Sequence, residues 1–436
     1  MSLLGAMNTA ISGLTAQSNA FNNISDNVAN SQTIGFKRID TAFVDFLTVS
    51  TADINVPGSV VARPDYANNV QGSLTQTENP LSMAIAGSGF FSVSQKSGET
   101  SGLPSFAGLA QYTRAGDFQL DRDGYLVNSA GKYLNGWLQD PTTGILNQSS
   151  VVPIRFTQTS LAPKATATAS MVANLPATPT VGVPISTQMQ IYDALGTAHT
   201  ISLDWTQNAA NDWTVSFTSA DDVTAAARGT ANLLFGPVAS TNPVPDGAIG
   251  NINNVTGSVT SAGYVAAGGA TVSFDTDFGS GTQTITLDLG TYGLATGLTQ
   301  FAGTTFNMTA LSQDGQPPGS FSSIIARPDG TILVNYDNGQ SAVIARVPVT
   351  IFSDPNALQR EDGQAFTETL ASGTALVSGA GTNGAGGLVT GATENSNVDI
   401  ATEFSKLIVA QRAYAANTRI ITTADDMLQQ TLDMKR

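Results

Sequence analysis

The chain has no cysteine, which excludes a disulfide framework, zinc–cysteine sites and thiol catalysis. It has one histidine, His199, which argues against a histidine-rich metal site or a histidine-based triad. Charge is also scarce: 12% of residues are charged, and 18 Lys and Arg face 33 Asp and Glu, for a net charge of -15. No lysine falls between Lys164 and Lys406, and no Lys or Arg between Arg228 and Arg327. Such a surface repels phosphate and anionic lipid, so no nucleic-acid partner is expected. No apolar run approaches the roughly 20 residues of a membrane helix, so no membrane insertion is expected. Met1 to Phe36 carries no Lys or Arg, so the basic region of a cleaved secretory signal is missing and export by another route is the expectation.

What is present fills that frame. At about 150 residues per domain, 436 residues make roughly three domains with real cores. Leu4, Met7, Ile11, Leu14, Ser18, Phe21, Ser25 and Val28 recur alternately three and four apart, a helical heptad line with two small polar gaps. The C-terminus repeats the pattern with Ile400, Phe404, Leu407, Gln411, Tyr414, Thr418, Ile421, Asp425, Leu428 and Leu432. Asn397 is placed to cap this second helix, Asp399 suits its positive end, and Lys435 and Arg436 suit the other pole. Each apolar stripe is too narrow to hold its helix alone in water, so the two helices are expected to pair as a coiled coil and join the termini. The competing reading is two ordinary amphipathic helices lying on a globular body. The polar positions in the line weaken a permanent interface and favour particular registers.

Between the helices the period changes to two. Ile201, Leu203 and Trp205, then Trp213, Val215 and Phe217, then Ile285, Leu287 and Leu289 alternate as half-buried strands. Asn211-Asp212, Asp123-Gly124, Pro328-Asp329-Gly330 and Asn338-Gly339 predict tight turns between strands. Pro163, Pro176, Pro179 and Pro184 on one side and Gln316-Pro317-Pro318-Gly319 on the other bracket an insert. The domains read as a terminal helical domain (1–30 plus 397–436), extended connectors (31–71 plus 367–396), a two-segment β domain (72–164 plus 314–366) and an inserted outer β domain (165–313). The second connector holds Gly373, Gly379, Gly381, Gly384, Gly386, Gly387 and Gly391, and is expected to bury little.

Motifs for chemistry are thin. Asp121-Arg122-Asp123-Gly124 has the start of a calcium loop, but Ala130 stands where the bidentate acid belongs, and a tight hairpin explains the residues better. His199 enters a strand after a turn and reads as solvent-facing. Adjacent carboxylates such as Asp221/Asp222 and Asp425/Asp426 point different ways. The glycine-rich run lacks a P-loop lysine, and no nucleophile elbow or metal motif is present. No catalytic residue, cofactor or metal is expected. The remaining enzymatic alternative is a secreted β-rich protein acting on polysaccharide with carboxylates assembled from distant positions, which leaves both heptad termini unexplained.

The run from Ala10 to Asn30, followed by Thr33-Ile-Gly-Phe-Lys37, resembles a signature of bacterial flagellar rod and hook axial proteins. Glu394-Asn-Ser-Asn-Val-Asp399 through Ile408-Val-Ala-Gln-Arg-Ala-Tyr414 resembles their other signature. Gly87-Ser-Gly-Phe-Phe91, Tyr112-Thr-Arg-Ala-Gly-Asp117 and Asp123-Gly-Tyr-Leu-Val127 resemble the family's shared β domain. The large insertion is most like the hook members; a distal rod protein is the alternative within the family. The resemblance implies a mainly β, discontinuous multidomain axial protein with paired terminal helices. It also implies self-assembly into a curved hollow tube joining rod to filament, export through a type III apparatus to an extracellular flagellar location, and contacts with rod, hook cap and hook–filament junction proteins. The seams expected to carry assembly are Leu4, Met7, Ile11, Leu14, Phe21 and Val28 in the first helix. In the second they are Ile400, Phe404, Leu407, Tyr414, Ile421, Leu428 and Leu432.

Overall fold

The computed structural model describes residues 3–50, 55–100, 102–140, 143–157, 160–224 and 226–434. The chain is mainly β with a long helix at each end, and it divides into two compact units. One comprises Met1–Gln158, Ser322–Asn335 and Ser341–Arg436; the other comprises Thr159–Phe321 and Tyr336–Gln340.

The second unit is built from the alternating strands. Ile185–Tyr192, Ala198–Ala209, Asp212–Ser219, Ala227–Phe235 and Ile249–Asn253 form an antiparallel five-stranded sheet. A six-stranded sheet that includes Thr168–Pro176, Gly269–Asp277 and Thr282–Thr291 shares a core with it. Every second residue points inward, so Trp205, Trp213, Phe217 and Phe274 are fully buried. The turn between the tryptophan strands closes through Asn211 at φ 61°, a left-handed conformation that asparagine tolerates. The unit is longer than the expected 165–313, because backbone pairing of Leu161 with Gly319 and Lys164 with Gln316 carries it outward past the prolines. Asp314 ties that stem by accepting the N–H groups of Ala167 and Thr168 and the Lys164 ammonium.

His199 departs from the expected solvent-facing position. Its ring stacks on Phe278 with centroids 3.8 Å apart and lies within 3.5 Å of Asp193 and 3.3 Å of Asp221, so its side chain keeps only 11% of its exposure.

In the first unit a long sheet interleaves strands from both halves of the sequence. Lys132–Leu138 pairs Phe90–Thr100, which pairs Gln111–Thr113, which pairs Ala365–Thr367. Edge-to-face contacts among Phe90, Tyr112, Phe352 and Phe366 fill the space beside them. Asp121 folds its own hairpin by accepting the N–H groups of Asp123 and Tyr125, with Gly124 at φ 85°.

Both connectors prove to be structured. Ile39–Ser50 and Asn55–Tyr66 pair as a long hairpin that packs on the N-terminal helix, instead of running as an extended link. Gly387–Thr390 pairs Met83–Ala86, and Ala392–Glu394 pairs Leu74–Gln76, so the glycine-rich segment buries Leu388, Ala392 and Glu394. Its many glycines serve the turns between short strands, as at Gly381 and Gly391 with φ 72° and 64°.

Candidate assembly site at the paired termini

The N-terminal helix, Leu3–Ala29, packs against the C-terminal helix, Ile400–Asp433. Asn27 Nδ2 donates to Glu403 Oε2 at 3.0 Å, while a Cβ on Gly13 would lie 2.8 Å from Asn417 Nδ2. Moving toward the N-terminus in one helix therefore means moving toward the C-terminus in the other, an antiparallel register. The buried positions are Ala10, Ala16, Ala20, Ile24 and Asn27 in the first helix and Glu403, Ala410 and Ala424 in the second. Small side chains let the axes approach closely. They bury little apolar area and so contribute little free energy per residue.

The expected heptad lines are not this contact line. Met7, Leu14, Phe21 and Val28 are half-buried and Ile11 is 48% exposed; Leu4 is helical, but its side chain lies outside the described residues. In the second helix Leu407, Ile421 and Leu428 are half-buried, while Ile400, Phe404, Tyr414 and Leu432 are exposed. At about 100° per residue, the Ile11–Leu14–Phe21 line sits roughly a quarter-turn from the Ala10–Gly13–Ala20 line, away from the hairpin. In an antiparallel pair the Leu407–Tyr414–Ile421 line turns to that same side. The large residues thus form one apolar strip across both helices, flanking the seam between them.

The opposite flank, toward the hairpin, is apolar as well. A groove of about 490 Å³ runs between the helices and the hairpin, lined by Ala20, Ile24, Ile39, Phe43, Val409 and Ala410. Val409 is 67% exposed, and Ile420 and Met427 continue its line along the helix. At one end Lys406 bridges Asp40 at 2.6 Å and Glu403 at 2.7 Å.

Where the termini leave the helices they are tied by a buried polar knot. Glu394 receives Lys37 at 2.5 Å, Arg114 at 3.0 Å and the Gly72 N–H at 2.8 Å, with all three side chains out of solvent. Lys37 also donates to the Val70 carbonyl, and Arg114 to those of Ile85 and Gly87. Burial pulls the Lys37 ammonium down to about 8, against the attraction of Glu394. Burial also lowers Arg114. Asn397, expected to cap the C-terminal helix, instead accepts the Arg38 N–H and donates to Ala67 and Val70. Asp399 is the cap, accepting from Ala401 and Thr402. Lys435 and Arg436 lie outside the described residues. No functional role for Lys37, Arg114 or Glu394 was read from the sequence. The available signal was that each falls inside one of the segments that resemble the axial-protein signatures: Thr33–Lys37, Tyr112–Asp117 and Glu394–Asp399.

With this geometry in view, the relatives are informative. The chain is 31% identical over 441 residues to the flagellar hook protein FlgE of Brucella suis, covering 100% of each. It is 30% identical over 444 residues to that of Escherichia coli K12, covering 99% of this chain and 100% of the relative.

The chain belongs to the flagellar hook protein family.

Family models map onto the parts just described. Residues 7–37 match the flagella basal body rod protein model and 389–434 the flagellar basal body rod FlgEFG protein C-terminal model, so the two together span the helix pair and end at the Lys37–Glu394 knot. Residues 84–162 match the flagellar hook protein FlgE/F/G D1 domain, and 135–316 the flagellar basal body protein FlaE D2 domain. The crystal structure of the Helicobacter pylori flagellar hook protein FlgE2 shares the fold, with a TM-score of 0.51 and 13% identity over 72% of this chain and 98% of that one.

Proposed function

We propose that copies of this chain stack into a curved hollow tube that serves as a universal joint between rod and filament in a bacterial flagellum, and that the paired termini drive the stacking. The observation that carries this reading is the apolar surface on both flanks of the helix pair, which a lone subunit leaves in water. Covering it with neighbouring copies stabilises the helices and the polymer together, so ordering is coupled to assembly. A heterologous contact that does not close builds a helical filament, the form a tube requires. Large faces of the second unit carry Ser and Thr with few cations, so neighbours there make few salt bridges that would resist sliding as the tube bends.

The seam residues from Met7 to Val28 and Ile400 to Leu432 act in this reading at contacts between subunits. Rod, cap and junction proteins sharing such helices are its end partners, and type III export delivers it. The role is structural and needs no catalytic chemistry.

Electron microscopy of the purified chain tests the proposal. Salt screens the -15 charge and promotes assembly, and curved hollow tubes are the expected product. Straight, stiff tubes would favour a distal rod role, and particles without tubular order at any salt concentration would overturn the reading.

A further inference from the structure

We infer that the contact between copies is asymmetric: the apolar strip of one helix pair seats in the hairpin-side groove of the next. This rests on the assembly reading and specifies the surface within it. The strip (Ile11, Leu14, Phe21, Tyr414) and the groove (Phe43, Val409) lie on opposite flanks of the same two helices. One subunit can therefore present its strip to a neighbour on one side while its groove receives another's strip on the other. Pairing strip with strip alone would bury one flank and end at a dimer, leaving the other flank in water.

Charge selects the same arrangement. Asp425 falls within the strip, where among the described residues its carboxylate accepts from Gln429 of its own helix. Arg412 and Arg419, two turns apart, border the Val409 flank, and among the described residues neither guanidinium has an ion-pair partner. Strip against strip joins two surfaces that each carry Asp425 and no arginine; strip against groove brings the carboxylate to a flank bordered by arginine. The occupant of the groove is accordingly a second copy of this chain.

The absence of cysteine makes the test direct. Full-length Phe21→Cys and Val409→Cys chains, whose positions lie level along the helix pair, are assembled alone and mixed, then oxidised. Disulfide-linked dimers should form in mixed tubes and be at least tenfold scarcer in either variant alone. Tubes that assemble normally but cross-link equally well within a single variant, or not at all on mixing, would overturn the asymmetric contact and leave the assembly reading standing. A wild-type chain that forms no tubes would sink the assembly reading instead.

A second arm holds if the cysteine variants do not polymerise. Asp425→Arg alone, or Arg412→Glu with Arg419→Glu, should raise the critical concentration about tenfold. All three changes in one chain should restore it. Single changes without effect, or a combined variant no better than either, would contradict the inference.

Discussion

The two units solve the problem of burying apolar surface in opposite ways. The inserted unit draws two sheets from one nearly continuous segment and encloses Trp205, Trp213, Phe217 and Phe274 completely. The helix pair meets through alanines, one isoleucine and polar contacts, and leaves its larger apolar side chains half-buried or exposed. The first is a finished core. The second is held at one end by the Lys37–Glu394 knot and leaves apolar surface open, which in the proposed assembly a neighbour covers.

Removing residues 1–30 should break that contrast most completely. Tube formation is lost, and circular dichroism loses the C-terminal helix as well, while sedimentation finds a folded monomer. A fragment that still polymerises would mean the helices do not drive assembly.

Trp205→Ala attacks the other side. It should cost the inserted unit about 3–5 kcal/mol in denaturant unfolding, with a separate transition for the first unit left in place.

Glu394→Gln leaves two buried cations without their carboxylate and should destabilise the first unit by about 3 kcal/mol. Its pH signature separates it from a packing defect. Lys37 already titrates near 8, below its unfolded value, so the unfolded chain binds more protons above that pH and stability rises through the interval. Without Glu394 the ammonium falls further, and the rise begins at lower pH.

The smallest effect belongs to Asp314. Burial would raise its carboxyl, but the N–H groups of Thr168 and Ala167 together with Lys164 outweigh it and hold it at about 2. Its contribution is complete above the ordinary carboxylate range and is lost as pH falls toward that value. Asp314→Asn should be slightly less stable at neutral pH and should lose that acid dependence in thermal melts.

Local chemistry made part of this legible in the sequence. Alternation around Trp205 and Trp213 and the turn at Asn211 depend on neighbours in the chain, and the strands form where the pattern puts them. The heptad lines identified both helices, but periodicity marks an apolar line without saying what covers it. The actual contact line of Ala10, Gly13 and Ala20 is too weakly hydrophobic to stand out beside Ile11 and Phe21. The glycine-rich segment misled for a different reason. Its short strands gain their burial from Leu74–Gln76 and Met83–Ala86, far away in sequence, so no local window contains the partner. The same distance hid Lys37 from Glu394.

Hydrogen exchange, followed residue by residue in dilute monomer and in tubes, shows whether the terminal helices depend on a neighbour for their order. Amides of Leu3–Ala29 and Ile400–Asp433 distant from Asn27 and Glu403 should exchange quickly in the monomer and become protected in tubes. Strands Ala198–Ala209 and Asp212–Ser219 should be protected in both. Helices equally protected before and after polymerisation would contradict that dependence.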